Sequence, residues 1–133
     1  MSPVFLTVDE VLELHAFQIE QFGGDPGIRD MGLLESAVAQ ASQQFGGQFL
    51  HEDLTAMAAA YLFHIAQNHI AQNHPFADGN KRTGLHAALT FLAMNDIDLD
   101  IPADQGEILV IGVATGQIGK VEVAKRFRQW GCI

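Results

Sequence analysis

The sequence predicts an all-α fold, with residues 1–133 forming one domain of about six helices. Apolar residues recur every three or four positions in most segments, which is the spacing of amphipathic helices. Glycine pairs and proline–glycine turns separate these segments. No stretch alternates apolar and polar residues over the length of a strand. With 48% apolar residues in 133, the chain can build one core of its own.

The first two predicted helices have clear start and stop signals. Residues 7–10, Thr-Val-Asp-Glu, form a capping box that opens the first helix. Its apolar stripe includes His15, and Gly23 ends it. Asp30 is expected to cap the second helix. Residues 45–50 then contain a glycine pair between aromatic residues, and we interpret them as an ordinary loop between helices.

The later segments also indicate helices. Glu52 or Asp53 starts a central helix whose apolar residues nearly surround it, which predicts a core helix. Residues 81–94 form a second apolar helix, and Pro102 suits the first turn of the next. A last helix is expected over Lys120–Trp130.

Charge and composition exclude several classes of protein. The net charge of −9 argues against nucleic acid as the partner, because phosphate backbones are bound by basic surfaces. No apolar run approaches the length of a membrane span, and the N-terminus does not resemble a signal peptide. Cys132 is the one cysteine, so no disulfide can form within the chain. These observations favour a protein of the reducing cytoplasm that contacts neither nucleic acid nor membrane.

Residues 74–84, His-Pro-Phe-Ala-Asp-Gly-Asn-Lys-Arg-Thr-Gly, form a loop that leads into a predicted helix. The first turn of a helix carries unpaired N–H groups and a positive dipole end, which together bind anions. Gly79 lets a phosphate approach the backbone, and Asn80 can cap the helix and donate hydrogen bonds. Lys81 and Arg82 add positive charge. The pattern predicts a phosphate site.

Two further side chains of this loop could do chemistry on the bound phosphate. Asp78 is a hard oxygen ligand of the kind that Mg²⁺ accepts beside substrate phosphates. His74 titrates near neutral pH and could act as a general base.

The 74–84 segment resembles the signature of the Fic/Doc (Fido) family, which has a histidine, a phenylalanine two residues later, an acid, then Gly-Asn and basic residues. The Asn-Lys-Arg-Thr version is similar to the Doc branch, the toxins of bacterial toxin–antitoxin pairs. Residues 22–30 and 113–118 resemble other parts of the family in the same order. The resemblance covers essentially the whole chain and implies a helical fold around a helix–loop–helix active site. It also implies, as the alternative to an ordinary loop at residues 45–50, a flap that covers the active site and helps dock the target.

The resemblance also implies a role for each motif residue. The implied roles are general base for His74, catalytic cation for Lys81, phosphate binding for Gly79, Asn80, Lys81 and Arg82, Mg²⁺ ligand for Asp78, and loop anchor for Phe76.

The implied reaction is transfer of the γ-phosphate of ATP, with Mg²⁺, to a threonine of a protein similar to elongation factor Tu. AMP-transferring members of the family usually have glycine at the place of Lys81 and arginine at the place of Leu85, so these residues favour phosphorylation. Gly79 instead matches the AMP-transferring pattern, which leaves AMP transfer as an alternative. A second alternative is an inactive module that binds its target or antitoxin. The family implies a Phd-like antitoxin whose flexible tail folds into a groove.

One departure from the family precedes the motif, because residues 64–68 and 69–73 both read His-Ile-Ala-Gln-Asn. Counted from Tyr61, the family spacing places the motif histidine at His69, so one copy is surplus. Three interpretations are open. His64, His69 and His74 could bind a metal, although a five-residue spacing points them to different helix faces. The helix could bulge or unwind locally, or it could lengthen and displace the motif, which invites a domain-swapped oligomer. Our hypothesis is that the repeat weakens or abolishes catalysis.

Overall fold

A computed structural model describes residues 2–67 and 74–131 of the chain. The described residues contain six α-helices, which confirms the predicted all-α fold, together with one short hairpin and a 3₁₀ turn. No helix within these two ranges combines the length and the apolar character that a membrane span requires. The elements are α1 (Val8–Phe22), α2 (Met31–Ala39), the 3₁₀ turn (Gln40–Ser42), β1 (Gln44–Phe45), β2 (Gln48–Phe49), α3 (Leu54–Ala66), α4 (Asn80–Met94), α5 (Ala103–Ala114) and α6 (Lys120–Trp130).

Helix α3 lies at the centre of the fold, and α4 and α6 pack most extensively against it. Its residues from Met57 to Leu62 are all buried, as the apolar pattern predicts for a core helix. Helix α4 comes close to it at Gly84, where an added Cβ would lie only 3.2 Å from the Leu62 carbonyl oxygen. This close contact fixes the depth at which α4, and the loop before it, sit on the core.

The predicted helix caps are confirmed at three positions. Thr7 and Glu10 make the reciprocal hydrogen bonds of a capping box at the start of α1. The Asp30 carboxylate accepts from the Leu33 N–H at 2.9 Å and caps α2. Asp53 caps α3 and also pairs with Arg128 of α6 at 3.1 Å. The sequence predicts these caps because each one depends on residues within three or four positions.

The interpretation of residues 45–50 as an ordinary loop is wrong, because they belong to a β-hairpin. Strands β1 and β2 pair in antiparallel register, with Gln44 opposite Phe49. Gly46 and Gly47 form its turn with φ of 61° and 82°, and two consecutive positive φ values suit a tight hairpin turn. Strands of two residues are too short to show alternation, so the glycine pair was the only signal.

Helix α3 ends at Ala66, within the first copy of the repeat. Gln67 follows in an extended conformation, with φ −63° and ψ 140°. The described part of α3 is therefore not lengthened. The second copy, including His69, lies outside the described residues.

Candidate active site

The motif loop, residues 74–79, lies against the segment between α1 and α2. The Pro75 carbonyl accepts from the N–H groups of Arg29 and Asp30 at 2.9 and 3.0 Å. Beyond it, the Ala77 N–H donates to the Gly27 carbonyl at 3.0 Å. Residues 27–30, part of the early segment that resembles the family, therefore hold the loop by backbone hydrogen bonds.

Phe76 and His15 hold the middle of the loop. Phe76 is fully buried, and the His15 ring stacks on it with a centroid distance of 3.7 Å and an interplanar angle of 5°. His15 Nε2 also donates to the Asp78 carbonyl oxygen at 2.8 Å. Only 3% of His15 is exposed, so both contacts lie inside the protein.

Asn80 does not cap α4, and that expectation is wrong. Gly79 holds the N-cap position in the left-handed region, with φ 79° and ψ 15°, which favours glycine. The Asn80 side chain instead accepts from the Phe76 N–H at 3.1 Å and donates to the Phe76 carbonyl at 3.0 Å. The side chain is therefore occupied inside the loop, and the group that Asn80 can offer to a phosphate is its backbone N–H.

Replacing Asn80 by alanine is expected to lower the free energy of unfolding by about 2–4 kcal/mol, because two buried backbone groups of Phe76 lose their partner. Urea unfolding at neutral pH measures this loss. The matched control is Gln129→Ala, which removes an exposed amide on α6 and should change stability by about 0.5 kcal/mol or less. Equal losses for the two variants would contradict this role of Asn80.

The loop and the start of α4 form one end of a groove of about 1010 Å³. Asp78, Gly79, Lys81 and Arg82 line this end. The Asp78 carboxylate is exposed and is oriented by the Asp25 N–H, which donates to Oδ2 at 2.8 Å. An exposed acid, two cations and the first turn of a helix therefore share one surface.

The remaining walls of the groove are largely apolar. The Arg82 guanidinium lies 4.4 Å from the centroid of the Phe22 ring, a cation–π contact at the end of α1. Leu85 of α4 lines the groove together with Gly106 and Val110 of α5. The groove can thus take a ligand with an anionic end and a flat or apolar body.

His74 lies at the start of the loop, partly buried. Burial lowers the pKa of its imidazole, and the positive charges of Lys81 and Arg29 lower it further. The ring is therefore neutral at pH 7, as a general base must be. Its Nε2 atom is enclosed and has no hydrogen-bond partner among the described residues. In this conformation Nε2 is not open to an incoming hydroxyl.

The donor set fits Mg²⁺ in one particular mode. Among residues 2–67 and 74–131 there is no group of three or more histidine, cysteine or acidic side chains that could enclose a metal. Mg²⁺ commonly uses one or two carboxylates, with water and substrate phosphates as the other ligands. The exposed Asp78 carboxylate, beside Lys81, Arg82 and the first turn of α4, meets that requirement.

The alternative metal site at His64, His69 and His74 gains no support from the described residues. Lys120 Nζ donates to His64 Nε2 at 3.0 Å, so this nitrogen is already engaged. His69 lies outside the described residues.

His64 makes stability depend on pH. Burial, followed by the positive charges of Lys120 and His51, lowers the pKa of His64 to about 4. An unfolded histidine has a pKa of about 6.5, so the unfolded chain binds more protons between these values. The stabilising contribution is present above about pH 6.5 and is lost as the pH falls toward 4. Urea unfolding across this range should show a smaller pH slope for His64→Gln, and equal slopes would contradict the assignment.

His15 is the main site residue that sequence reasoning did not place. A histidine within an apolar stripe needs a buried hydrogen-bond partner, and this was the available signal. The partner is 63 residues away in the sequence, so the pattern could not name it. His86 follows Arg82 by one helical turn, but its Nδ1 bonds Gln18 at 2.9 Å and it does not line the groove.

The fold and the site define a small helical protein whose histidine-bearing loop leads into a helix start that lines a groove with two cations. A family model described as the Fic/DOC family matches residues 5–92. The chain is 32% identical over 124 residues to "Protein kinase doc" of Escherichia phage P1, covering 93% of each chain. It is 42% identical over 96 residues to "Toxin Doc" of Mycolicibacterium smegmatis, covering 71% of this chain and 70% of that protein. The chain belongs to the Fic/Doc family, and its relatives are of the Doc type.

Proposed function

We propose that this chain is a Doc-like toxin of the cytoplasm that transfers the γ-phosphoryl group of ATP to a hydroxyl of a translation protein similar to elongation factor Tu. The observation that carries the proposal is that Asp78, just before α4, and Lys81 and Arg82, in its first turn, line the same end of the groove. The names of the two relatives, a protein kinase and a toxin, support the toxin assignment and a kinase reaction.

In this reaction the nucleotide phosphates bind at the first turn of α4. Its N–H groups and the cations of Lys81 and Arg82 stabilise the charge on the phosphates and on the departing ADP. Mg²⁺ held by Asp78 would supply further neutralisation of phosphate charge. His74 takes the proton of the acceptor hydroxyl as its oxygen bonds to the γ-phosphorus and the bond to the β-phosphate oxygen breaks.

Phosphoryl transfer is favoured over AMP transfer by the residues at the groove. Lys81 stands in the lining where AMP-transferring relatives usually have glycine. Leu85 gives an apolar wall where those relatives have arginine. A second phosphate-gripping arginine is therefore missing from this position, and AMP transfer remains the alternative reaction.

We further propose that a Phd-like antitoxin binds this chain. Exposed apolar side chains occur on α1 (Phe17 and Phe22), on the segment after it (Ile28) and at the start of α2 (Met31). Such side chains are typical anchoring points for a partner that folds on binding. A chain that binds ATP and antitoxin but transfers nothing would be the inactive binding module.

The repeat is proposed to weaken catalysis. The supporting observation is the enclosed Nε2 atom of His74, since a general base must come within hydrogen-bond reach of its proton. We also propose that the changed connection allows two copies of the chain to exchange elements, and size-exclusion chromatography with light scattering tests this.

Labelled ATP tests the proposed reaction. The chain and its variant with one copy of the repeat are each incubated with a bacterial lysate and with ATP labelled at the γ or the α position. Label from γ-labelled ATP alone supports phosphorylation. Label from α-labelled ATP supports AMP transfer. If neither protein transfers label from either labelled ATP, the enzyme assignment is overturned.

A further inference from the structure

His15 lies on α1, far from the motif in sequence, yet it contacts the motif loop at three places. Its ring stacks on Phe76, and its Nε2 donates to the Asp78 carbonyl. It also packs against Gly79, where an added Cβ would lie 3.6 Å from His15 Cδ2. The three contacts fall on the buried anchor, the proposed metal ligand and the N-cap of α4.

We infer that His15 is a positioning residue for the phosphate and Mg²⁺ site, acting through the peptide between Asp78 and Gly79. This inference rests on the proposed function, because that function assigns the phosphate and Mg²⁺ site that His15 would position. The peptide group is planar, so holding the Asp78 carbonyl also fixes the direction of the Gly79 N–H.

Asp78 is held by two hydrogen bonds, one from His15 to its carbonyl and one from the Asp25 N–H to its carboxylate. The Asp25 N–H holds the Asp78 carboxylate from the solvent side at 2.8 Å, while His15 holds its backbone from the core side. With both ends held, the carboxylate has one direction relative to the start of α4. Without the His15 bond, the Asp78 carbonyl would be left without its partner and the peptide could rotate.

A purely structural role would require only the volume and the stacking of the His15 ring. Two substitutions distinguish this structural role from the positioning role. His15→Phe keeps an aromatic ring against Phe76 and removes the donor, whereas His15→Gln keeps an N–H donor and loses the stacking. His86→Phe is the matched control, because His86 is a second histidine at the contact of α1 with the motif region: it bonds Gln18 of α1 at 2.9 Å and does not line the groove.

The first readout is binding of Mg²⁺ in the presence of a non-hydrolysable ATP analogue, measured by calorimetry on the full chain. Loss of a residue that orients a metal ligand typically weakens metal affinity about 10–100-fold. We expect this loss for His15→Phe, recovery of most of the affinity for His15→Gln, and no change for His86→Phe. An unchanged Mg²⁺ affinity in a folded His15→Phe protein overturns the inference.

The second readout separates this inference from the proposed function. Backbone amide resonances of residues 78–81 should shift in His15→Phe and stay in place in His86→Phe, with or without nucleotide. If the unsubstituted chain binds the analogue but transfers no phosphate, the proposed function fails while the Mg²⁺ titration still decides the role of His15. If the chain binds no analogue, the proposed function fails and the amide shifts decide; unshifted amides overturn the inference.

Discussion

Replacing His74 by alanine is expected to reduce the rate of phosphoryl transfer by about 10²- to 10⁴-fold, the usual contribution of a general base. Burial and neighbouring positive charge lower the pKa of His74, so the imidazole is neutral and ready to accept a proton at pH 7. Initial rates with saturating ATP, measured in the one-copy form, give the size of the effect. Binding of ATP should change little, because His74 does not line the groove.

The control for this substitution is His86→Ala. His86 is also partly buried with a pKa lowered by burial, but its ring bonds Gln18 and lies outside the groove lining. It should keep the full rate. Transfer in the His74→Ala protein at the rate of the His86→Ala protein would exclude His74 as the base.

Removing one copy of the repeat is expected to raise the transfer rate by about 10²-fold. Deleting residues 64–68 or 69–73 gives the same sequence, so the change has one product. The one-copy chain restores the family spacing between Tyr61 and the motif histidine. A displacement of about 1 Å at a catalytic group can reduce a rate by this factor, and here the Nε2 atom of His74 is enclosed.

A rate measured side by side in the two chains decides this prediction. Thermal unfolding of both chains serves as the control, because a change in the folded fraction would alter the apparent rate. If the two folded proteins transfer phosphate equally fast, the repeat has no effect on catalysis and the hypothesis fails.

The sequence predicted those parts of the structure that depend on near neighbours. The Thr7 capping box, the Asp30 and Asp53 caps and the all-round apolar pattern of α3 are properties of a few consecutive residues, and all were predicted. The motif also placed Asp78 and its neighbouring cations together, because they follow one another along the chain.

Tertiary contacts decided the features that were missed. Asn80 has the chemistry of a helix cap, but a buried loop with two unpaired backbone groups at Phe76 uses its amide instead. Gly79 holds the N-cap position instead, in an αL conformation that glycine adopts without strain. The partners of His15 lie more than sixty residues along the chain, and no local pattern indicates such a distant contact. These two side chains, together with the backbone hydrogen bonds to residues 27–30, hold the motif loop in its conformation.

Intact-mass spectrometry of a purified acceptor tests the central claim most directly. A translation factor similar to elongation factor Tu is incubated with ATP, Mg²⁺ and either the one-copy chain or its His74→Ala variant. We predict that the acceptor gains the mass of one phosphoryl group with the one-copy chain and gains almost none with the variant. A gain equal to AMP, or no gain with either protein, would contradict the assignment of the loop and the start of α4 as a phosphoryl-transfer site for this acceptor.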